Sequence, residues 1–413
     1  MKKVIFSAAA LMLCGSLAFA QQNNSTTTQT GKRNLALVAQ VGAQNQSVVD
    51  QDGKMDPMGG VANQTFVNQM GNRNVSLVEQ DGDRNFASVL QDGNRNDATI
   101  DQGVGFAEDN SATTEQFGNN NTSDQLQRWD NNEGIVYQDG NGNSASQDQR
   151  SMANAVPGSF AQAYQVGNNN DSDQTQKGSN NEAGVNQDGN GNSAMQYQEG
   201  NNNSAAISGF SDPTVTGTGF TAGQLGNGNT ADQSQVGNGN FAWTTQWGNN
   251  NNSDVDQDGN NNSSDNFQVG NGNGSIIDQD GNANDALAHQ FGNGNSSLQI
   301  QDGNNNDADI VQEGNNNIAT QGQDGNRNVA DTFQDGNRNQ SYGLQIGNRN
   351  TSDVDQVGNN NGALLLQMGT RNTSIITQTG NRNGAASAQF GQRHMSTITQ
   401  TGNANLAATL QSN

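Results

Sequence analysis

Cysteine is all but missing: the 413 residues contain one, Cys14. It lies so near the start that the rest of the chain has no thiol, which excludes disulfides and thiolate metal sites as the source of its order. Proline occurs 3 times, aromatics make up 5% and hydrophobic residues 30%. A chain of this length would ordinarily make two or three domains, yet it holds too little apolar material for the cores such domains need. Cations are scarce too. Lys and Arg number 17 against 40 Asp and Glu, a formal charge of −23, which argues against a nucleic-acid partner and serves solubility. Beyond residue 20 no apolar run is long enough to cross a bilayer, so no membrane span is expected.

The first twenty residues are of a different kind. Lys2 and Lys3 precede an apolar run from Val4 to Leu17 and the small-residue ending Ala18-Phe19-Ala20. This is the pattern of a secretory signal peptide over 1–20, with cleavage after Ala20. Leu13 is the wrong size for a lipobox before Cys14, so lipid attachment is not expected.

What the chain does have is Gln, Asn, 52 glycines and one insistent motif. Gln-x-Gly-x-x-Asn begins at Gln29, Gln40, Gln69, Gln80 and Gln91, and from Gln224 it runs through to Gln400 and Gln411 at a spacing of about eleven residues. Random low complexity does not keep phase over such a length. Counting back by twos from Gln334 meets Thr332, Ala330 and Asn328, whereas the intervening residues are Phe333, Asp331 and Val329. Successive side chains on a strand point to opposite faces, so these are two faces. The first recurs as Gln, a residue such as Val255, Ile277, Ile310 or Ile376, then Ala or Ser, and Asn. The second varies freely. A regular face is packed and a variable one solvated, so the first points inward.

Between strands sits Gly-Asn-x-Asn, which is turn chemistry, since Gly and Asn tolerate positive φ at low cost. The spacing predicts a strand of about seven residues and a turn of about four per unit. Two units make one coil of about 22 residues, and coils stacked at roughly 4.8 Å place Gln on Gln and Asn on Asn. The expected fold is all-β: a flat two-sheet β-solenoid with amyloid-like cross-β stacking, about 34 strands and roughly 80 Å tall.

The expected structural ladder comprises Gln235, Gly237, Asn240, Gln257, Gly259, Asn262, Gln279, Gly281, Asn284, Gln301, Gly303 and Asn306, continuing through Gln312, Gly314, Asn317, Gln334, Gly336, Asn339, Gln356, Gly358, Asn361, Gln378, Gly380 and Asn383. Proline cannot sit inside such a ladder. Pro57, Pro157 and Pro213 each fall where the motif spacing stretches. Together with a Gly-rich stretch they place loop insertions near 54–62, 103–107, 150–160 and 208–218 in a repeat region running 29–413, with no second domain.

A Gln-x-Gly-x-x-Asn unit followed by a small residue and then a second Gln resembles the curlin repeat of bacterial curli subunits. The resemblance covers nearly the whole chain, from Gln29 to Gln411, and this sequence would be a long variant with added loops. It implies a secreted amyloid subunit of a Gram-negative-type bacterium that crosses the outer membrane through a dedicated pore. Polymerised with itself at the cell surface, alongside a related subunit or nucleator, it would support biofilm matrix and adhesion as a major or minor component. Gln21 to Thr28 would be the leader presented to the secretion apparatus.

Little else in the chain reads as chemistry. His289 and His394 are far apart in sequence and neither has a Cys or a second His nearby, so no catalytic residue, metal or cofactor is expected. Asp258, Asp280, Asp302, Asp324 and Asp335 read as gatekeeper charges at strand ends. A calcium β-roll would need Gly-Gly-x-Gly-x-Asp at a shorter period. Turn arginines (Arg73, Arg95, Arg327, Arg338, Arg349, Arg371, Arg382) are expected to balance the acidic face, and Trp243, Trp247, Phe333 and Phe390 to point outward. Both ends lack carboxylates: none precedes Asp50 and none follows Asp355. An alternative, a monomeric β-solenoid adhesin or ligand- or ice-binding protein, would want a regular outward row of side chains. The chain is not expected to be an enzyme.

Overall fold

The computed structural model describes residues 22–53, 62–152, 157–211 and 220–413. The signal peptide read over 1–20 lies outside the described residues, as do Pro57, Pro213 and much of the insertions expected near 54–62, 150–160 and 208–218. The described chain is strand and corner throughout, with no helix.

We number its 35 strands β1 to β35 in chain order. Most are nine residues long, as in Val329–Asn337, and are joined by two-residue corners. Strand and turn therefore divide nine to two rather than seven to four. The Gly of the motif takes a φ near +120°, at Gly336 for example, but still pairs with the next rung. Only the residue two places on turns the chain, with Arg338 in the left-handed region at φ 57°.

Strands alternate between two parallel sheets. The first begins with β1 (Asn24–Thr30), β3 (Gln46–Asp52) and β5 (Val75–Asp83), the second with β2 (Leu35–Ala43) and β4 (Gln64–Asn72). Each strand pairs with the one two ahead, in register, motif Gln on motif Gln: Gln334 on Gln356, for instance. Insertions do not disturb this. Gln40 pairs with Gln69 across the longer β2–β4 interval, and β7 (Asp97–Glu108) absorbs extra residues as a bulge between Gln102, opposite Gln80, and Ala107, opposite Gly82. One second-sheet rung is split. There β16 (Ser204–Ser211) turns back on β17 (Phe220–Ala222), and β18 (Gln224–Asn227) completes the rung; both β16 and β18 bridge β14 (Glu182–Asn190) and β20 (Phe241–Asn249). Counting that set as one leaves 33 rungs, 17 in the first sheet and 16 in the second.

The inward face is the one expected. Asn328, Ala330, Thr332 and Gln334 are buried, while Asp331 is exposed and Val329 and Phe333 are half-buried. Packed between the sheets are Ala, Ser and aliphatic clusters, the largest toward each end. One is built on Val49, Val67, Val78, Val89 and Ile100, the other on Val354, Leu365, Ile376 and Ile398.

Candidate functional site

The repeated element is a spine of side-chain amides. Gln235, Gln257, Gln279 and Gln301 stand in the first sheet, and Gln312, Gln334, Gln356 and Gln378 in the second. Each donates from Nε2 to Oε1 of the motif Gln one rung on, at 2.8–3.0 Å. The second amide proton crosses to the other sheet and meets the backbone carbonyl of a strand's first residue; Gln334 reaches Ile318 O at 3.0 Å. An unpaired amide buried this completely would be costly. Here both protons and the oxygen are used.

The corner Asn forms a second column. Asn240, Asn262, Asn284, Asn306, Asn317, Asn339, Asn361 and Asn383 each donate from Nδ2 to a motif Gly carbonyl at 2.9–3.0 Å. Each also receives a backbone N–H from the corner one rung on; Asn361 N donates to Asn339 Oδ1 at 3.0 Å. These carbonyls approach so closely that the position admits only Gly. A Cβ on Gly336 would sit 1.9 Å from Gly358 O, and Gly237, Gly259, Gly281, Gly303, Gly314, Gly358 and Gly380 stack in the same way.

The sequence reading missed another buried Gln column. Gln125, Gln147, Gln174, Gln196 and Gln233 replace the aliphatic residue two positions before the motif Gln and form their own amide ladder, with links of 2.8–2.9 Å. Its signal is the spelling Gln-x-Gln, as in Gln125-Leu126-Gln127.

On the outer face, Asp258, Asp280, Asp302 and Asp324 are exposed and lie on consecutive first-sheet rungs, a column of like charges. Asp335 is exposed in the second sheet beside Glu313. They occupy the seventh strand position, not the strand end. Burial, with help from Asp307, Asp331 and Asp285, pushes the Asp309 carboxyl up to about 6. Partial desolvation against the strands, with like charges nearby, likewise raises Asp232, Asp254, Asp331 and Asp353. The turn arginines do not balance this face. Arg73, Arg95, Arg327, Arg338, Arg349, Arg371 and Arg382 sit at left-handed corners, and none forms an ion pair among the described residues.

His289 lies on the outer face of the second sheet, 3.5 Å from Asp265, beside a groove of about 240 Å³ lined by Trp243, Phe267 and Phe291. His394 takes a corner-Asn place, its backbone N–H bonded to Asn372 Oδ1 at 3.0 Å and its ring to Phe390 O. No group of three metal-ligating side chains occurs among the described residues, and no helix there is long and apolar enough to cross a membrane.

The stack has two open ends. At one, β1 pairs only with β3 and β2 only with β4. At the other, β34 (Met395–Asn403) pairs only with β32 (Thr373–Asn381), and β35 (Leu406–Ser412) only with β33 (Gly384–Gln392). Comparison with family models matches the curlin-associated repeat four times, at residues 77–103, 178–208, 325–358 and 369–402. The chain belongs to the curlin repeat family. The matches fall in both halves and cover strands of both sheets, so the curlin repeat is the coil itself. Curlin repeats on a β-solenoid mark a curli-type structural protein of a family that is extracellular and not enzymatic. No curated protein matches this curlin-repeat chain.

Proposed function

We propose that this curlin-repeat protein is exported and polymerises end to end into curli-like extracellular amyloid fibres that support biofilm matrix and surface adhesion. The observation that carries the reading is the pair of open ends. Each rung is held by backbone bonds and amide ladders that can be extended indefinitely, and the terminal rungs leave those groups exposed. The carboxylates that would repel an identical chain are missing from the rungs after Asp355 and before Asp50. Passage through an outer-membrane pore of a Gram-negative-type cell, and nucleation by a related subunit, follow from the family likeness. The Asp columns act as gatekeepers that keep the long outer faces apart.

The test is to purify residues 21–413 and follow thioflavin fluorescence, seeding and fibre diffraction. Fibres with a meridional reflection at about 4.8 Å and growth accelerated by seeds are expected. A chain that stays folded and monomeric at high concentration overturns the reading in favour of a monomeric adhesin or ligand-binding solenoid.

A further inference from the structure

We infer that successive subunits in the fibre are related by a half-turn, so that β1 of one copy docks on β34 of the next and β2 on β35. This rests on end-to-end polymerisation and specifies its joint.

The described stack both starts and finishes in the first sheet, with β1 and β35, and has 33 rungs. A copy added in the same orientation would set β1 on β35. That leaves one second-sheet rung site empty between β34 and the incoming β2, with two strand edges unpaired around a void. Turned by half a revolution, β1 fills the vacant site over β34, and β2 then lands on β35. The coil continues without a gap. The two sheets can exchange places because they carry the same repeat.

The side chains of the facing strands match. β34 reads Ser396-Thr397-Ile398-Thr399-Gln400-Thr401-Gly402, and β1 with its next residue reads Ser25-Thr26-Thr27-Thr28-Gln29-Thr30-Gly31. In register they set Thr26 on Thr397, Thr28 on Thr399 and Thr30 on Thr401. Those last two extend a column already begun by Thr377 and Thr379 of β32. Within its own molecule β1 instead faces Val48, Asp50 and Asp52. β35 reads Leu406-Ala407-x-x-x-Gln411 and β2 reads Leu35-Ala36-x-x-x-Gln40. Leu406 is 88% exposed and Leu35 40%, and the joint covers one with the other. The unrotated joint would put Thr28 against Leu410 and Asn24 against Leu406.

The amide spine has a polarity. Every motif Gln donates toward the later rung. Gln400 and Gln411 accept from Gln378 and Gln389 but donate one bond each, to Gly384 O and Met395 O, and the proton that would climb the ladder has no acceptor among the described residues. Gln29 and Gln40 donate to Gln51 and Gln69, and their Oε1 atoms receive nothing from the described residues. Donor end meets acceptor end, Gln400 on Gln29 and Gln411 on Gln40. Two like ends would oppose donor to donor.

Residues 21–413 hold every described strand and no cysteine, so paired thiols can be introduced cleanly. Thr28, Thr399 and Leu410 are exposed and point outward. Fibres of Thr28→Cys/Thr399→Cys and of Thr28→Cys/Leu410→Cys are treated with a two-carbon bis-thiosulfonate, then dissolved and run denatured. At a joint the true pair lies one strand spacing apart, the other on opposite faces of the fibre, so covalent oligomers should be about tenfold more abundant for Thr28/Thr399. Preferential linkage of Thr28 to Leu410, or fibres that link through neither pair, overturns the half-turn while leaving polymerisation intact. Absence of fibres from the parent chain overturns the function reading instead.

Discussion

Gln334 and Gln356 lie 22 residues apart and are joined by a 2.8 Å bond from the amide nitrogen of the first to the amide oxygen of the second. Both are fully buried. The same bond, repeated rung upon rung, ties the sequence period to the stack.

Interrupting the spine should be far more damaging than trimming the surface. Gln312→Ala leaves Gln290 without an acceptor and Gln334 without a donor, at a cost of about 2–4 kcal/mol. Val311, outward and half-buried, should cost about 1 kcal/mol or less when changed to Ala. Chemical denaturation and fibre growth rates of the two variants measure the contrast, and equal effects would refute the inward assignment of Gln312.

At Gly336 two penalties coincide, the 1.9 Å approach to Gly358 O and a φ of +120°. Gly336→Ala should destabilise by about 3 kcal/mol or more. Gly274, whose added Cβ meets nothing within 4 Å, should accept Ala with a change within about 0.5 kcal/mol. Melting both variants beside the parent tests the distinction.

Acidification should stabilise the fold. The Asp309 carboxyl titrates near 6 when folded against 3.8 as the ordinary value. Between those values the folded state holds the extra proton, so stability rises as pH falls through 6 and levels off below about 4. Asp232, Asp254, Asp331 and Asp353 shift in the same direction. Thermal melts at pH 7 and pH 5 should show the higher midpoint at pH 5, and Asp309→Asn should shrink the difference.

Calcium should be dispensable. The Asp258 to Asp324 column is exposed, and among the described residues no three ligating side chains converge. Millimolar chelator should leave formed fibres and their growth rate unchanged; dissolution would point to ion-bridged carboxylates.

The ends should nucleate and the middle should not. A peptide spanning residues 362–413 carries no carboxylate side chain, whereas one spanning 254–306 holds Asp on nearly every rung. At equal concentration and salt the first should fibrillise sooner and seed the whole protein, and Met368→Asp with Thr379→Asp should slow the parent's growth. Equal lag times would refute this division of labour.

Much of this protein was legible in one dimension, because its order is local and repeated. The alternation around Gln334 identified the buried face, the eleven-residue phase implied the coil, and the acid-free stretches marked the ends. What the tertiary structure alone decided concerns partners 22 residues away. It set the motif amide donors toward the later rung. It drew the strand through Gly336 to Asn337 and left Arg338 at a corner beyond the reach of the Asp columns. It also counted the rungs as odd. Period and polarity of residues belong to the local pattern, whereas the direction of a hydrogen bond and the parity of a stack exist only when rung lies on rung.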